Sequence, residues 1–234
     1  MASFHLAVKT IGRSAGRSAT AAAAYRAGVE ITDERTGLVH DYTRKQGVEH
    51  SALVVPADAP AWASDRAALW NAAEQAETRK NSTVAREYEI ALPAELSAEA
   101  RRELALGLAR EISERHGVAV DVAIHAPGRE GDQRNHHAHL LTTTRRIGPE
   151  GLGEKTRELD QKTSGEVERW RGRWAEMQNT ALERANVPER VDHRSHQRRG
   201  IEQEATVHMG PSATAMERRA EYQAMREGRA YEPV

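Results

Sequence analysis

The sequence predicts an α+β fold of about five or six strands, mostly antiparallel, with three or four helices that form a layer against the sheet. Several segments alternate apolar and polar residues with the period of two that half-buried strands show. Other segments carry apolar residues at helical spacing and are bounded by capping residues. The two kinds of segment are interleaved along 234 residues, a length that suits one domain, or one domain with an appendage.

The predicted strands are short segments bounded by glycine, proline or charged residues. They cover residues 3–9, 48–55, 83–92, 118–126 and 137–144, with a small hairpin over 29–42. The segment 118–126 is rich in β-branched residues, and a glycine- and charge-rich loop at 127–135 connects it to 137–144. We therefore expect these two strands to pair as an antiparallel hairpin.

The predicted helices begin after residues that can cap them. They cover residues 19–27, 64–80, 97–116 and 164–186. Ser18, Ser64 and Ser97 are the expected N-caps, and Gly28 and Gly117 follow two of the helices. Glycine favours the left-handed conformation that ends many helices, so these two positions predict where the helices stop.

The C-terminal part of the chain is more polar and less regular than the rest. Residues 147–162 are polar and contain glycine, and they predict a mobile connection. Residues 188–212 are irregular and rich in histidine and arginine. We expect one domain over residues 1–212 and, over residues 213–234, a polar helical tail or the start of a linker.

Composition excludes several classes of protein. The chain has no cysteine, which excludes a disulfide framework, a thiolate zinc site and a cysteine nucleophile. No run approaches the roughly 18 apolar residues of a membrane span, and the N-terminus lacks the pattern of a secretory signal. We therefore expect a cytoplasmic protein without membrane contact. The net charge of −1 gives no overall basic excess, although arginines cluster locally.

Three histidines lie on the two strands of the predicted hairpin. His137 and His139 are two residues apart, so strand alternation points both to one face, about 7 Å apart. His125 lies near the end of the preceding strand, which the hairpin brings alongside. Ordinary surface or core histidines are the alternative for each residue alone. Three converging imidazoles, however, are typical of a metal site that keeps open coordination positions.

Tyr25 lies on the alanine-rich helix that follows the first strand. The ordinary interpretation is an aromatic residue that anchors a helix of small residues. The functional interpretation is a covalent nucleophile, since a tyrosine hydroxyl that gives up its proton can form a covalent intermediate. Alanines let the helix lie close to a sheet, and Arg13, Arg17 and Arg26 would attract a phosphodiester backbone.

Six stretches together carry a family resemblance. They are AGRSATAAAAYRAG around Tyr25, ITDERTGLVHDY, ALWNAAEQAETR, AREYEIALPAEL, IHAPGREGDQRNHHAHLL and DHRSHQRRGIEQEATVHMGP. In this order they cover nearly the whole chain, which resembles the MobA/MobL-type conjugative relaxases of the MobQ class, including the N-terminal relaxase domains of TraA-type transfer proteins. The resemblance implies the fold of the His-hydrophobe-His (HUH) endonucleases, a central antiparallel sheet of about five strands flanked by helices. It also implies that residues 1–212 form a relaxase, or nicking, domain.

The resemblance also implies a reaction. Tyr25 would attack a scissile phosphodiester of single-stranded DNA at a plasmid origin of transfer, giving a 5′-phosphotyrosyl intermediate and a free 3′-hydroxyl that can be rejoined. His125, His137 and His139 would hold a divalent metal ion over the scissile phosphate. Mn²⁺ or Mg²⁺ is the expected ion, with Ni²⁺ or Zn²⁺ as alternatives.

Two further residues near the predicted site have alternative interpretations. Glu87 lies in the AREYEIALP stretch, and it would act as a base toward Tyr25 or orient a metal-binding histidine; a plain strand-surface carboxylate is the other interpretation. Family members often show a proline at the position of His136. A shifted alignment would make His136 a ligand, but strand alternation points it away from His137.

The expected partner is single-stranded plasmid DNA with a hairpin next to the nick. Backbone contacts are expected from Arg13, Arg17, Arg26, Arg194 and Arg198. Accessory relaxosome proteins and a coupling protein are further expected partners, and we expect a monomer. These expectations follow from the resemblance together with the local arginine clusters.

Two other functions are compatible with the residues alone. A non-catalytic origin-binding regulator with a degenerate site would bind no divalent ion. A three-histidine metal oxygenase would use the same histidines but would leave Tyr25 without a role. Metal binding and the effect of replacing Tyr25 therefore distinguish the three functions.

Overall fold

The computed structural model describes residues 2–128, 132–202 and 210–231. The strands are β1 (Leu6–Gly12), β2 (Glu30–Thr32), β3 (Val39–Asp41), β4 (Val48–Val54), β5 (Thr83–Ala91), β6 (Val120–His125), β7 (His137–Thr143), β8 (Arg145–Gly148) and β9 (Gly151–Lys155). The longer helices are α1 (Ala19–Ala27), α2 (Arg66–Gln75), α3 (Ala98–His116), α4 (Glu166–Arg184) and α5 (Gly210–Glu227).

The central sheet has five strands in the order β1-β5-β7-β6-β4. Every neighbouring pair in it is antiparallel. The predicted α+β class and the predicted antiparallel sheet are therefore confirmed. The hairpin of β6 and β7 is also confirmed, and it occupies the interior of the sheet rather than an edge.

Helices cover both faces of this sheet. On one face, Leu69 of α2 and the alanines of α1 pack with Ala85 of β5 and Leu141 of β7. On the opposite face, Leu108 of α3 and Trp174 of α4 pack with Tyr88 of β5. Because alternate residues of a strand point to opposite faces, β5 contributes to both layers. The face toward α1 also carries the polar side chains of the site described below.

Four local predictions were wrong. α2 ends at Gln75 rather than near residue 80. β1 begins at Leu6 rather than at residue 3, because its pairing with β5 starts there. The cap of α2 is Asp65, whose carboxylate accepts the Ala68 amide at 2.8 Å, since Ser64 belongs to the preceding 3₁₀ turn. The segment 147–162 is not a bare connection: β8 and β9 form a hairpin with Gly148 opposite Gly151. Glycines interrupt the alternation of apolar and polar residues in this segment, so the sequence did not predict these strands.

The chain divides into two compact units, Met1–His193 and Arg194–Val234. The first contains the sheet and α1 to α4. The second contains α5, on which Met216, Tyr222 and Met225 are exposed. The boundary that we expected after residue 212 stays a prediction. Among the described residues, no helix is both long enough and apolar enough to cross a membrane.

Candidate active site

The register of β6 and β7 brings the three histidines together. His125 lies directly opposite His137, and His139 follows two residues later on the same face of the sheet. The ring centroids are 5.3 Å apart for His125 and His137, 4.9 Å for His125 and His139, and 5.3 Å for His137 and His139. One ligand atom of each residue lies within 4.8 Å of the other two. Small side-chain movements would allow one ion to contact all three rings.

Each ring is oriented by a hydrogen bond through one of its nitrogens. His137 Nδ1 donates to the Asn135 carbonyl at 2.9 Å, and His125 Nε2 donates to the Arg26 carbonyl at 2.8 Å. His139 Nδ1 donates to Glu87 Oε1 at 2.6 Å. Since these oxygens can only accept, the bonded nitrogen carries a proton, and in the neutral form of each ring the other nitrogen has a lone pair for a ligand.

The surroundings of His125 and His137 favour their neutral form. Burial lowers the pKa of His125 to about 4, with further lowering by the Lys45 ammonium and the neighbouring imidazoles. Burial also lowers the pKa of His137. A neutral imidazole is the form that binds a metal, so the chemistry of this donor set fits an ion with three nitrogen ligands.

Glu87 connects the histidines to α1. It is 2% exposed, and its carboxylate is held between His139 and the Arg26 guanidinium, whose Nη2 donates to Oε2 at 2.7 Å. Arg26 Nε donates to the other carboxylate oxygen. Burial by itself raises the pKa of Glu87, but the bonds from His139 and Arg26 outweigh it and lower the pKa to about 2. The carboxylate is therefore ionised and fully engaged.

Tyr25 lies on the last turn of α1, beside the histidines. The Ser18 hydroxyl caps α1, and Gly28 ends it at a φ of 67°. A residue with a side chain would be strained at this positive φ. Its Cβ would also lie only 3.2 Å from Val48 Cγ2, so glycine suits this close turn. Tyr25 is 50% exposed, and its ring packs edge-on against the Tyr42 ring, with the ring centroids 5.2 Å apart. It is therefore free of the core and open to solvent.

Lys45 links Tyr25 to the histidines, and sequence reasoning did not find it. Its Nζ lies 3.9 Å from the centre of the Tyr25 ring and 3.5 Å from His125 Nε2. Because the same Lys45 ammonium contacts both groups, only this ammonium separates the Tyr25 ring from His125 along this path. Burial and the nearby Arg26 charge lower the pKa of Lys45 to about 8. Lys45 lies in a turn, where no hydrophobic periodicity or motif spacing identifies a residue as part of a site.

An open cleft of about 690 Å³ runs along the exposed side of α1 and includes Tyr25. Arg17, Arg35 and Lys80 line it, together with the carboxylates of Asp33 and Glu77. Arg17 is exposed, with one long hydrogen bond of 3.4 Å to the Thr10 carbonyl. The cleft therefore offers positive charge next to the tyrosine.

The other predicted arginines occupy different positions. Arg13 Nη2 donates to the buried Glu74 carboxylate at 2.6 Å, and its side chain is 10% exposed. Arg26 is paired with Glu87, as described above. Their charges are engaged by carboxylates, which the sequence did not indicate. Arg194 and Arg198 belong to the second compact unit, and their contact with DNA stays a prediction.

Comparison with known proteins gives consistent matches. The profile of the MobA/MobL family matches residues 17–219. Mobilization protein MobL of Acidithiobacillus ferridurans is 49% identical over 94% of this chain and 65% of that protein. Conjugal transfer protein TraA of Rhizobium radiobacter is 35% identical over 97% of this chain and 23% of that protein. The chain thus spans less than two thirds of either relative.

One solved structure is similar over most of the chain. It comes from work on the molecular basis of vancomycin resistance transfer in Staphylococcus aureus. It matches with a TM-score of 0.73 at 35% identity, covering 83% of this chain and 100% of that chain.

Proposed function

Because the chain belongs to the MobA/MobL family, we propose that it is a mobilisation relaxase that nicks single-stranded DNA at a plasmid origin of transfer. The observation that carries the proposal is the half-exposed Tyr25, joined through Lys45 to the cluster of three histidines. A nucleophile with room to meet a substrate thus stands beside a set of metal ligands.

The proposed reaction is a transesterification at phosphorus. The Tyr25 Oη attacks the scissile phosphate, a new P–O bond forms, and the bond from phosphorus to the 3′ oxygen breaks. The phenolic proton leaves Tyr25 and a proton is taken up by the 3′ oxygen, so charge and atoms balance. The phosphotyrosyl bond retains the energy of the phosphodiester, which allows the same site to rejoin strands.

The three histidines are the proposed ligands of a divalent ion. Once bound, the ion supplies Lewis-acid polarisation of the scissile phosphate oxygens. Mn²⁺ or Mg²⁺ is the proposed ion, with Ni²⁺ or Zn²⁺ as alternatives. His136 is not needed as a ligand, because its neighbours His125, His137 and His139 already form the cluster among the described residues.

Glu87 takes the orienting role rather than that of a base toward Tyr25. Both of its oxygens already accept hydrogen bonds, one from His139 and the other from Arg26. A general base must bond the proton that it removes, and this carboxylate is already occupied by His139 and Arg26. Carboxylates that bond the distal nitrogen of a ligating histidine fix its tautomer and ring orientation, which is the arrangement here.

The proposed DNA contacts follow the cleft beside Tyr25. Arg17, Arg35 and Lys80 supply cations there, while Arg13 and Arg26 act mainly by supporting the site through Glu74 and Glu87. Arg194 and Arg198 remain proposed backbone contacts. The hairpin next to the nick, the accessory relaxosome proteins and the coupling protein remain proposed partners, and the monomer remains the proposed state.

The proposal is tested by looking for a covalent protein–DNA adduct. The protein is incubated with an origin-containing oligonucleotide and Mn²⁺ and is then resolved under denaturing conditions. We expect a stable adduct with the wild type, none with Tyr25→Phe, and an unchanged yield with Tyr222→Phe, which removes another exposed phenol. Binding without any adduct would instead support the non-catalytic regulator.

A further inference from the structure

Lys45 lies in the turn between β3 and β4 and contacts the end of α1 in two ways. Its Nζ donates a hydrogen bond to the Tyr25 carbonyl at 2.7 Å. The same ammonium lies 3.9 Å from the centre of the Tyr25 ring, which is cation–π geometry. One side chain therefore contacts both the main chain and the ring of the proposed nucleophile.

The hydrogen bond to Tyr25 satisfies a helix end. The last four carbonyls of a helix have no partner inside the helix, and cations near this end are favourable. In α1, the Tyr25 carbonyl is bonded by Lys45 and the next carbonyl, that of Arg26, is bonded by His125. Adjacent free carbonyls of α1 are thus used to attach the helix to Lys45 and to the histidine cluster.

The Tyr25 ring has few other restraints. It is 50% exposed, and its other aromatic contact among the described residues is the edge-on approach of Tyr42. A half-exposed tyrosine on a helix samples several side-chain orientations unless a neighbour selects one. The ammonium of Lys45 lies against the ring face, so it selects an orientation next to His125.

We infer that Lys45 is a positioning residue for Tyr25, which holds the nucleophile beside the histidine cluster before DNA binds. The inference rests on the proposed function for its catalytic consequence, whereas the restraint on the ring is a property of the protein alone. A reacting group that is misplaced by about 1 Å loses roughly a hundredfold in rate, so a restraint of this kind affects the chemical step more than binding.

The restraint is tested first by NMR on the full chain without metal or DNA. An aromatic ring shifts the resonances of protons that lie over its face, so the ε-methylene protons of Lys45 are expected upfield of those of other lysines. The shift should persist in Tyr25→Phe, which keeps the ring, and disappear in Tyr25→Ala. In Lys45→Met, the Tyr25 ring resonances should move toward the values of a freely rotating tyrosine. Unshifted Lys45 protons in the wild type would overturn the inference.

The catalytic consequence is tested by single-turnover adduct formation with the origin oligonucleotide and Mn²⁺. Lys45→Met should lower the rate constant roughly ten- to hundredfold at an unchanged dissociation constant for the oligonucleotide. Lys45→Arg should restore most of the rate, since a guanidinium also donates hydrogen bonds and stacks on aromatic rings. Arg44→Met, which removes the same charge from the exposed neighbouring position, is the matched control and should react like the wild type.

The two tests separate the possible failures. A wild type that shows the ring shift but forms no adduct contradicts the relaxase proposal and leaves the restraint standing. A Lys45→Met protein that reacts at the wild-type rate overturns the positioning role. A loss of affinity for the oligonucleotide at an unchanged rate constant also overturns it, because that result makes Lys45 a DNA contact.

Discussion

Glu87 and His139 face each other diagonally across β5 and β7, and His139 Nδ1 donates to the Glu87 carboxylate at 2.6 Å. The same carboxylate also accepts a hydrogen bond from Arg26, which lies on the last turn of α1. The orientation of a proposed metal ligand and the attachment of the helix that carries Tyr25 therefore depend on one buried group. Changes at Glu87 are expected to affect metal binding and stability together.

Replacing Glu87 by glutamine should weaken metal binding and lower stability. Loss of a carboxylate behind a ligating histidine typically lowers metal affinity by about 10- to 100-fold. The substitution also leaves the Arg26 guanidinium, 12% exposed, without its anion, and breaking a buried ion pair costs about 3–5 kcal/mol. Calorimetric titration with Mn²⁺ and chemical denaturation measure the two effects.

Glu89 provides the control for that experiment. It lies two residues further along β5, and its ion pair with Lys9 is on the surface, with side-chain exposures of 30% and 54%. Exposed pairs contribute about 0–1 kcal/mol, so Glu89→Gln should keep the stability near the wild-type value. Because Glu89 lies opposite His139 in the strand register but the His139 ring donates to Glu87 instead, its substitution should lower metal affinity less than Glu87→Gln does. Equal effects at the two positions would contradict the role of Glu87.

His139→Ala should abolish binding of the divalent ion, whereas His136→Ala should retain it. His139 is one of the three clustered histidines. His136 precedes β7, and its Nδ1 lies 3.7 Å from Glu49 Oε1. The two substitutions remove the same group from positions three residues apart, which makes them a matched pair. Titration calorimetry with Mn²⁺ reports both, and loss of binding in His136→Ala would support the shifted alignment.

Arg17 and Arg13 should respond differently to replacement by alanine. Arg17 is exposed in the cleft, so Arg17→Ala should weaken oligonucleotide binding. The slope of the logarithm of the binding constant against the logarithm of the salt concentration should become smaller in magnitude by about one. Arg13→Ala should instead lower the free energy of unfolding by about 3–5 kcal/mol, because it leaves the buried Glu74 carboxylate without its main partner.

Salt titrations of binding and chemical denaturation distinguish these two arginines. If Arg13→Ala folds with wild-type stability and loses DNA affinity, Arg13 is a backbone contact, as the sequence predicted. If Arg17→Ala leaves the salt dependence unchanged, the cleft is not the path of the DNA backbone.

Stability should fall as the pH is lowered through and below the ordinary histidine range, and His116 should contribute to this fall. His116 is 2% exposed; burial lowers its pKa, although Glu158 and Glu166 oppose the shift. Trp170 Nε1 donates to its Nε2 at 3.0 Å, which requires a neutral ring. Below the unfolded pKa of about 6.5, the unfolded chain binds a proton that the folded chain does not, so acid favours unfolding.

Denaturation at pH 7.5 and pH 5.5 measures this dependence. His116→Gln keeps an acceptor for Trp170 and cannot be protonated, so its stability should fall less between the two pH values than that of the wild type. An identical fall in both proteins would show that His116 does not contribute to the pH dependence of stability.

The sequence predicted the histidine cluster because the interactions that form it are local. A hairpin with period-two alternation fixes the faces of His125, His137 and His139 once the two strands pair, and the structure has this register. The capping residues Ser18 and Ser97 and the glycines after their helices likewise predicted the ends of α1 and α3. Local chemistry was sufficient at these positions.

The partners of the charged residues could not be predicted in the same way. Arg13 meets Glu74 and Arg26 meets Glu87, each across a sequence separation of 61 residues. Lys45 reaches Tyr25 only because the β3–β4 turn packs on the end of α1. Such contacts depend on how helices, strands and turns pack together, so they cannot be predicted from the periodicity of the sequence.

Mass spectrometry of the protein–oligonucleotide adduct identifies the side chain that attacks the DNA. After reaction with an origin-containing oligonucleotide and Mn²⁺, the adduct is digested and the modified side chain is located. We expect a phosphodiester on Tyr25, linked to the 5′ end of the cleaved strand, with a free 3′-hydroxyl on the other product. A modification on Tyr42, whose ring packs against Tyr25, or on any other residue would contradict this expectation.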